Sequence, residues 1–340
     1  MQQTQQIRLE SPSLPKGGGS IAGMGESLGG AGADGIATLS LPLPVSAGRG
    51  VAPVLSLDYS SGGGNSSFGM GWQCAPPSIR LRTARGVPGY QGADVFLAPS
   101  GEVLEIALTA QGEADTRTTS VLQGITLDEN WLVTRYQPRI LQDFSEMEYW
   151  QPETPLTATH PFWVMYSPDG QVHLFGKNAH ARVANPAQDS QIAQWLLEES
   201  VSLIGEHHYY QYQAEDEAGC SGKEIQQHPD SSAQRYLQQV NYGNITAQVS
   251  FFALDSAMPA LDQWLFHLVF DYGERTDTLS APPAFEAAPA QWMVRPDCFS
   301  RFEYGFEIRT RRLCRQVLMF HRLQALAGVE KADEVPALVA

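Results

Sequence analysis

Val54–Cys74 reads VLSLDYSSGGGNSSFGMGWQC. Val54, Ser56, Asp58 and Ser60 fall on one side and Leu55, Leu57 and Tyr59 on the other, the period of two that marks a strand. At Ser60 the strand gives way to a small polar loop running to Ser67, with Gly62, Gly63 and Gly64 in succession. Phe68, Gly69, Met70, Gly71 and Trp72 close the stretch, two large aromatic residues separated by residues that let the backbone bend. The stretch therefore predicts a strand, a Gly-rich turn (Gly62, Gly63, Gly64, Gly69, Gly71) and an aromatic anchor (Phe68, Trp72) at the edge of a large β structure.

Outward from this stretch, alternation returns again and again. Ile36–Val45 reads as a strand whose far end, with Pro42 and Pro44, belongs at an edge. Ser78–Thr83 alternates apolar and basic residues. Asp94–Leu97 and Glu102–Leu108 flank a turn at Pro99–Gly101. Trp131–Tyr136 and Met147–Trp150 follow, then Phe162–Tyr166 and Val172–Phe175 around Ser167–Gly170. Ala193–Ser202 and His207–Gln213 form the next pair. Arg235–Tyr242 and Thr246–Leu254 are predicted to meet through a turn at Gly243 and Asn244. Trp264–Tyr272 is apolar on both faces, as a strand covered on both sides would be. Glu303–Arg322 reads as one long strand or a bent pair, with Arg309, Arg311 and Arg315 on one side. Gln111–Thr119 and the acidic segment Glu215–Ser232 read as loops, the second as the best interior candidate for a mobile one. Thr276–Pro296, rich in Pro and Ala, is a long connection.

The rhythm of hairpins predicts a mainly β protein with few helices, built on a large antiparallel sheet. At 340 residues the chain has room for one large β domain or two ordinary ones. A formal net charge of −15 sets the surface against nucleic acid and anionic lipid as primary partners. No apolar run long enough for a membrane span occurs. The N-terminus, MQQTQQIRLE, lacks the apolar core of a cleavable signal, so any export is expected to use another route.

Motifs for chemistry are sparse. Gly23 and Gly25 open a G-x-G-x-x-G that fails at Leu28, so the glycine-dense segment from Gly17 to Gly35 reads as extended chain packed close to other backbone. The four cysteines, Cys74, Cys220, Cys298 and Cys314, form no C-x-x-C and read as free thiols. His207 and His208 are adjacent on a strand and point to opposite faces, which rules out joint ligation of one metal. There is no G-x-S-x-G nucleophile elbow. Two Glu-x-Glu pairs, Glu146/Glu148 and Glu215/Glu217, lack the Ser-Thr-Ser strand that accompanies such a pair in mono-ADP-ribosyltransferases. No catalytic, cofactor-binding or metal residue is assigned, and no cofactor is implied. Arg309, Arg311, Arg312 and Arg315 are the one basic cluster. They pair either with the chain's many carboxylates or, for Arg309, Arg311 and Arg315, with a partner protein or a downstream segment.

Seven stretches carry a family resemblance: LPKGGG (Leu14–Gly19), GIATLSLPLPVSAGRG (Gly35–Gly50), LDYSSGGGNSSFGMGW (Leu57–Trp72), VPGYQGADVFL (Val87–Leu97), WLLEES (Trp195–Ser200), FDYGER (Phe270–Arg275) and YGFEIRTRRLCRQVLMFH (Tyr304–His321). Together they resemble the SpvB N-terminal domain family, found in virulence-plasmid B proteins and at the start of the B components of insecticidal toxin complexes. The resemblance implies the beginning of an RHS-type shell, a hollow β structure around a toxic enzyme. It implies a non-catalytic module that accompanies, shields or translocates a toxin, with toxin components or a C-terminal effector domain as partners. Another implied role is the accessory domain of an actin-directed mono-ADP-ribosyltransferase whose catalytic part lies outside this chain. A carbohydrate- or receptor-binding β domain is a third reading, because exposed Trp and Tyr suit sugar stacking. The expected layout is an arm over residues 1–14, the β domain over 15–323, and over 324–340 a linker or an interrupted further strand, since a new apolar segment opens at Val335 just before the chain stops. The expected place of action is outside the producing bacterium or in a host cell.

Overall fold

Alternating aromatic and β-branched residues pair largely in chain order, most strands beside the one before them. The computed structural model describes residues 27–29, 35–48, 52–141, 143–154, 159–255, 260–275, 282–287, 292–326 and 335–340. The expected arm over 1–14 and most of the Gly17–Gly35 segment lie outside them. Among the described residues the strands form one antiparallel sheet of 15 strands, a four-stranded sheet and two two-stranded ribbons; the two α-helices are short. The main path of the large sheet runs Thr116–Leu122, Ile125–Pro138, Glu146–Pro152, Phe162–Tyr166, Val172–Phe175, Gln188–Val201, His207–Ala214, Arg235–Asn244, Trp264–Asp271, Gln316–His321 and Ala337–Leu338.

Gln188–Val201 is where this meander forks. Its first half pairs with Arg182–Asn185 and with Ser78–Leu81, and its second half with Val172–Phe175 and His207–Ala214. The fork lets rings from several strands converge. Phe96 lies between Tyr149, Trp163 and Trp195, with ring centroids at 5.2, 4.9 and 5.7 Å in tilted or edge-on contact. Such rings carry the largest apolar areas in the core and favour these offset geometries. Trp264–Asp271 is buried at all eight positions, as its two apolar faces predict.

The opening stretch lies in the four-stranded sheet, ordered Ser27–Gly29, Thr38–Pro42, Ser56–Ser60, Trp72–Gln73. Tyr59 and Trp72 pair across it with centroids 5.1 Å apart. Gly71 takes φ +77°, and a Cβ there would sit 2.6 Å from the Tyr59 ring and 2.8 Å from the Ser60 carbonyl. Only glycine fits both that conformation and that space. Gly63 is held as closely by backbone, a Cβ falling 3.0 Å from the Ser60 oxygen and 3.2 Å from the Gly71 Cα. The anchor then reaches the large sheet: Phe68 meets Phe270 edge-on at 6.1 Å, and the Cys314 amide donates to the Ser67 carbonyl at 2.7 Å.

Two expectations are corrected and two are refined. The expected loop Gln111–Thr119 ends at Asp115, and Thr116–Thr119 opens a strand, Thr116–Leu122, held by backbone pairing against Ile125–Pro138 without apolar alternation. The hairpin at Pro99–Gly101 closes through the Leu97–Val103 bridge and the Ala98 amide donating to the Glu102 carbonyl at 2.8 Å, after which Leu104–Ile106 pairs with Tyr136–Pro138. Gly243 and Asn244 do not form a hairpin turn. Arg235–Asn244 pairs instead with Trp264–Asp271, and the Asn244 side chain bonds the His207 amide and the Gly205 and Thr246 carbonyls. Of the two alternatives for Glu303–Arg322 the pair is found: two short strands, Ile308–Thr310 and Gln316–His321, separated by five residues outside any strand, Arg311 to Arg315. The four cysteines are free.

Candidate functional site

The break between those two strands is where the arginines converge. Because the chain leaves the two-stranded ribbon of Phe299–Arg301 and Ile308–Thr310 at Arg311, neighbouring side chains there can turn toward one place. Arg309 grips Glu224 with two parallel bonds, Nε to Oε1 at 2.8 Å and Nη2 to Oε2 at 3.1 Å. Arg311 Nε reaches the same Oε1 at 3.0 Å, while its Nη atoms donate to the Asp216 and His228 carbonyls. Arg312 is fully buried. Its Nε and Nη2 donate to Glu215 Oε1 at 3.0 and 2.8 Å, Nη2 also reaches the Asp216 carboxylate at 3.0 Å, and Nη1 donates to the Trp292 carbonyl. The guanidinium lies over the Trp292 ring, 4.4 Å from its centroid.

Three guanidiniums thus face three carboxylates, Glu215, Asp216 and Glu224, so the charge in the cluster balances. That balance is what makes its burial tolerable. Tyr236 completes the cluster: its hydroxyl donates to Glu215 and accepts from the Arg311 amide at 2.9 Å. Burial, and then the nearby Glu215 carboxylate, push this phenol well above its usual pKa, so it stays a neutral donor. Hydrogen bonds from Arg309, followed by those from Arg311, hold the Glu224 carboxyl below its ordinary value against the opposing effect of burial.

The cluster corrects the expected loop at Glu215–Ser232. Ser221 caps a short helix, Gly222–Gln227, by accepting from the Glu224 amide at 3.2 Å, and this cap turns Glu224 toward Arg309 and Arg311. The segment is an acidic strap clamped onto the Ile308–Thr310 ribbon and the residues that follow it. Arg309 and Arg311 therefore face inward, 8% and 1% exposed, and are engaged within the chain. Arg315, expected on their side, is exposed and makes no ion pair among the described residues. A fourth arginine, Arg295, was not singled out from the sequence. Its Nη1 donates to the Ser66 carbonyl, its Nη2 to Asn65 Oδ1 at 2.8 Å, and its Nε to Asp297 at 2.8 Å. It thereby fastens the Gly-rich turn to the body of the protein. Among the described residues no group of three or more His, Cys, Asp or Glu side chains is placed to hold a metal ion.

A β body closed by internal arginine clamps, without an assembled nucleophile or metal cluster among the described residues, is the frame on which comparison with known proteins bears. Residues 31–323 match the family described as SpvB, Salmonella virulence plasmid 65kDa B protein. The chain belongs to the SpvB family. It is 49% identical over 316 residues to the mono(ADP-ribosyl)transferase SpvB of Salmonella typhimurium strain 14028s, covering 92% of this chain and 51% of that protein. The SpvB of Salmonella enteritidis is 48% identical over the same length. The chain spans about half the length of the curated relatives it matches.

Among solved structures, the N-terminal domain of effector protein SpvB from Salmonella typhimurium strain LT2 superposes with a TM-score of 0.78 at 46% identity, over 88% of this chain and 91% of that one. The crystal structure of TcdB2-TccC3 superposes with a TM-score of 0.88 at 54% identity, over 98% of this chain and 16% of that one. The Photorhabdus luminescens Tc holotoxin pore gives 0.88 at 54%, over 100% and 15%. The chain thus corresponds to the N-terminal domain of SpvB and to a portion of TcdB2-TccC3, as the SpvB-type motifs imply.

Proposed function

We propose that this chain is a non-catalytic β scaffold of a bacterial toxin, the part that accompanies or shields a toxic enzyme rather than the enzyme itself. The observation that carries the reading is the double match: one fold fits nearly the whole N-terminal domain of SpvB and also a portion of the much longer TcdB2-TccC3. The arginine clamps suit such a role, because buried, mutually satisfied charges fix one arrangement of strands. In this reading the ADP-ribosyltransferase activity named for the Salmonella relatives belongs to the half of those proteins outside the match. The partners are further segments or subunits of a toxin, and the protein is made in the bacterial cytoplasm and acts outside it, with the host cell as the destination.

Of the three candidate contact arginines, Arg315 is exposed and without an ion pair among the described residues, and so suits such a partner, whereas Arg309 and Arg311 are committed to Glu224. The test is co-purification of the chain with the other toxin components of its source. Arg315→Ala is expected to weaken assembly while leaving thermal unfolding unchanged. Assembly indifferent to Arg315→Ala would remove the contact, and no assembly with any toxin component would remove the reading.

A further inference from the structure

Two of the stretches that carry the family resemblance, Val87–Leu97 and Trp195–Ser200, meet away from the arginine clamps. Between them and the Ile125–Pro138 and Glu146–Pro152 strands lies a cavity of about 350 Å³. That is toward the lower end of small-molecule sites, enough for a single sugar ring with its substituents. Its floor is apolar and aromatic, with Trp195 and Tyr149 almost wholly buried and Phe96 wedged between them. Gly92 and Ser190 lie exposed at its rim.

The polar groups around this floor are what distinguish it from a packing defect. Tyr136, Tyr149 and Gln151 line the cavity, and none of their side chains makes a hydrogen bond to another described residue. Three polar side chains left open beside an aromatic floor are the few convergent polar groups that a small-molecule site presents, ready for a ligand that brings its own donors and acceptors. Asp94, in contrast, is already fixed: its two carboxylate oxygens accept from the Gly89 amide at 2.8 Å and the Tyr90 amide at 2.6 Å. This turn holds Tyr90 at φ +56°, a left-handed conformation that is costly for an aromatic residue. The Tyr90 hydroxyl is tied to the Tyr304 carbonyl at 2.7 Å, which sets its ring at the cavity wall. Strain held at a cavity wall by three hydrogen bonds is a feature of sites more than of packing.

We propose that this cavity binds a single pyranose ring of a glycan, its C–H face against the Trp195–Phe96–Tyr149 floor and its hydroxyls on Tyr136, Tyr149 and Gln151. An aromatic floor with neutral donors and acceptors at its sides suits a flat, neutral, polyhydroxylated ring. A quaternary ammonium would favour a free carboxylate beside the rings, and the one carboxylate here is occupied by backbone amides. The site is separate from the assembly role, so either stands if the other fails.

The experiment titrates the full chain with the methyl glycosides of glucose, galactose, mannose and N-acetylglucosamine, and with tetramethylammonium chloride. It follows the indole N–H resonance of Trp195, whose proton is held by the Pro161 carbonyl at 2.8 Å on the wall of the same cavity. At least one glycoside is expected to shift that resonance saturably. Tyr149→Phe and Gln151→Ala should each weaken it about tenfold, the loss of one hydrogen bond, with Gln151→Ala leaving thermal unfolding unchanged. The proposal is overturned if no glycoside moves the Trp195 signal, if both variants bind as well as the parent, or if tetramethylammonium saturates the site and the glycosides do not.

Discussion

Replacing Arg312 with alanine is the sharpest perturbation of the clamp. Arg312 and Glu215 both have fully buried side chains, and the guanidinium also serves Asp216, the Trp292 carbonyl and the Trp292 ring. Its removal leaves the Glu215 carboxylate inside the protein with only the Tyr236 hydroxyl and the Asp216 and Arg311 backbone amides. An uncompensated buried charge of this kind costs about 3–5 kcal/mol. Arg309→Ala should cost less, about 1–2 kcal/mol, because Glu224 keeps Arg311 and lies nearer the surface. Urea unfolding followed by tryptophan fluorescence measures both, and limited proteolysis of the 215–228 strap reports the local effect. Replacing the pair together, Glu215→Gln with Arg312→Met, should recover a large part of the loss, since no charge then remains stranded. If Arg312→Ala costs under ~1 kcal/mol, or no more than Arg309→Ala, the clamp is not the buried, mutually dependent unit described.

Two further outcomes follow from the same geometry. Gly71→Ala should lower the unfolding free energy by about 1–3 kcal/mol through its left-handed backbone and the contact with Tyr59, whereas Gly64→Ala, with open space around it, should leave urea unfolding nearly unchanged. The strap should also be acid-labile. The Glu224 carboxyl is held below its ordinary value of 4.5, so its stabilisation is complete above that value and is lost as the pH falls through the lower folded-state pKa. Proteolysis at 215–228 across an acid series should show this opening, and Arg309→Gln should move it to higher pH; an opening at the same pH in both would contradict the assigned cause.

How far the sequence could be read depended on whether the decisive contacts were local. Phe162–Tyr166 and Val172–Phe175 were legible because a Ser-Pro-Asp-Gly turn and alternation on both sides say the same thing. Trp264–Asp271 was legible because both of its faces are apolar. Thr116–Leu122 was not, since a polar, largely exposed outer strand is held by backbone pairing that leaves no apolar signature. Gly243 and Asn244 looked like a hairpin turn, yet Asn244 spends its side chain on the strand next door. The arginine cluster showed two possible uses in sequence, internal carboxylates or a partner. The structure assigns Arg309 and Arg311 to the first, because the break at Arg311 turns them toward a strap whose acids lie more than eighty positions earlier. The motif Val87–Leu97 was recognisable as a family stretch, but its left-handed Tyr90 was not, since nothing in the string VPGYQG fixes which residue takes positive φ.

The order in which the large sheet is laid down bears on how the protein comes into being. From Thr116 to Asp271 almost every strand bonds to its neighbour in the chain, so most of the sheet closes through short loops and can zip forward as each hairpin arrives. The widest gap along the chain is bridged by the pairing of Arg80 with Gln194 on the forked strand. That pairing waits until everything between has been threaded into place, and it acts as a latch on a zipper. A polypeptide built this way can be laid out from one end and gain its final rigidity late, when one distant contact snaps shut.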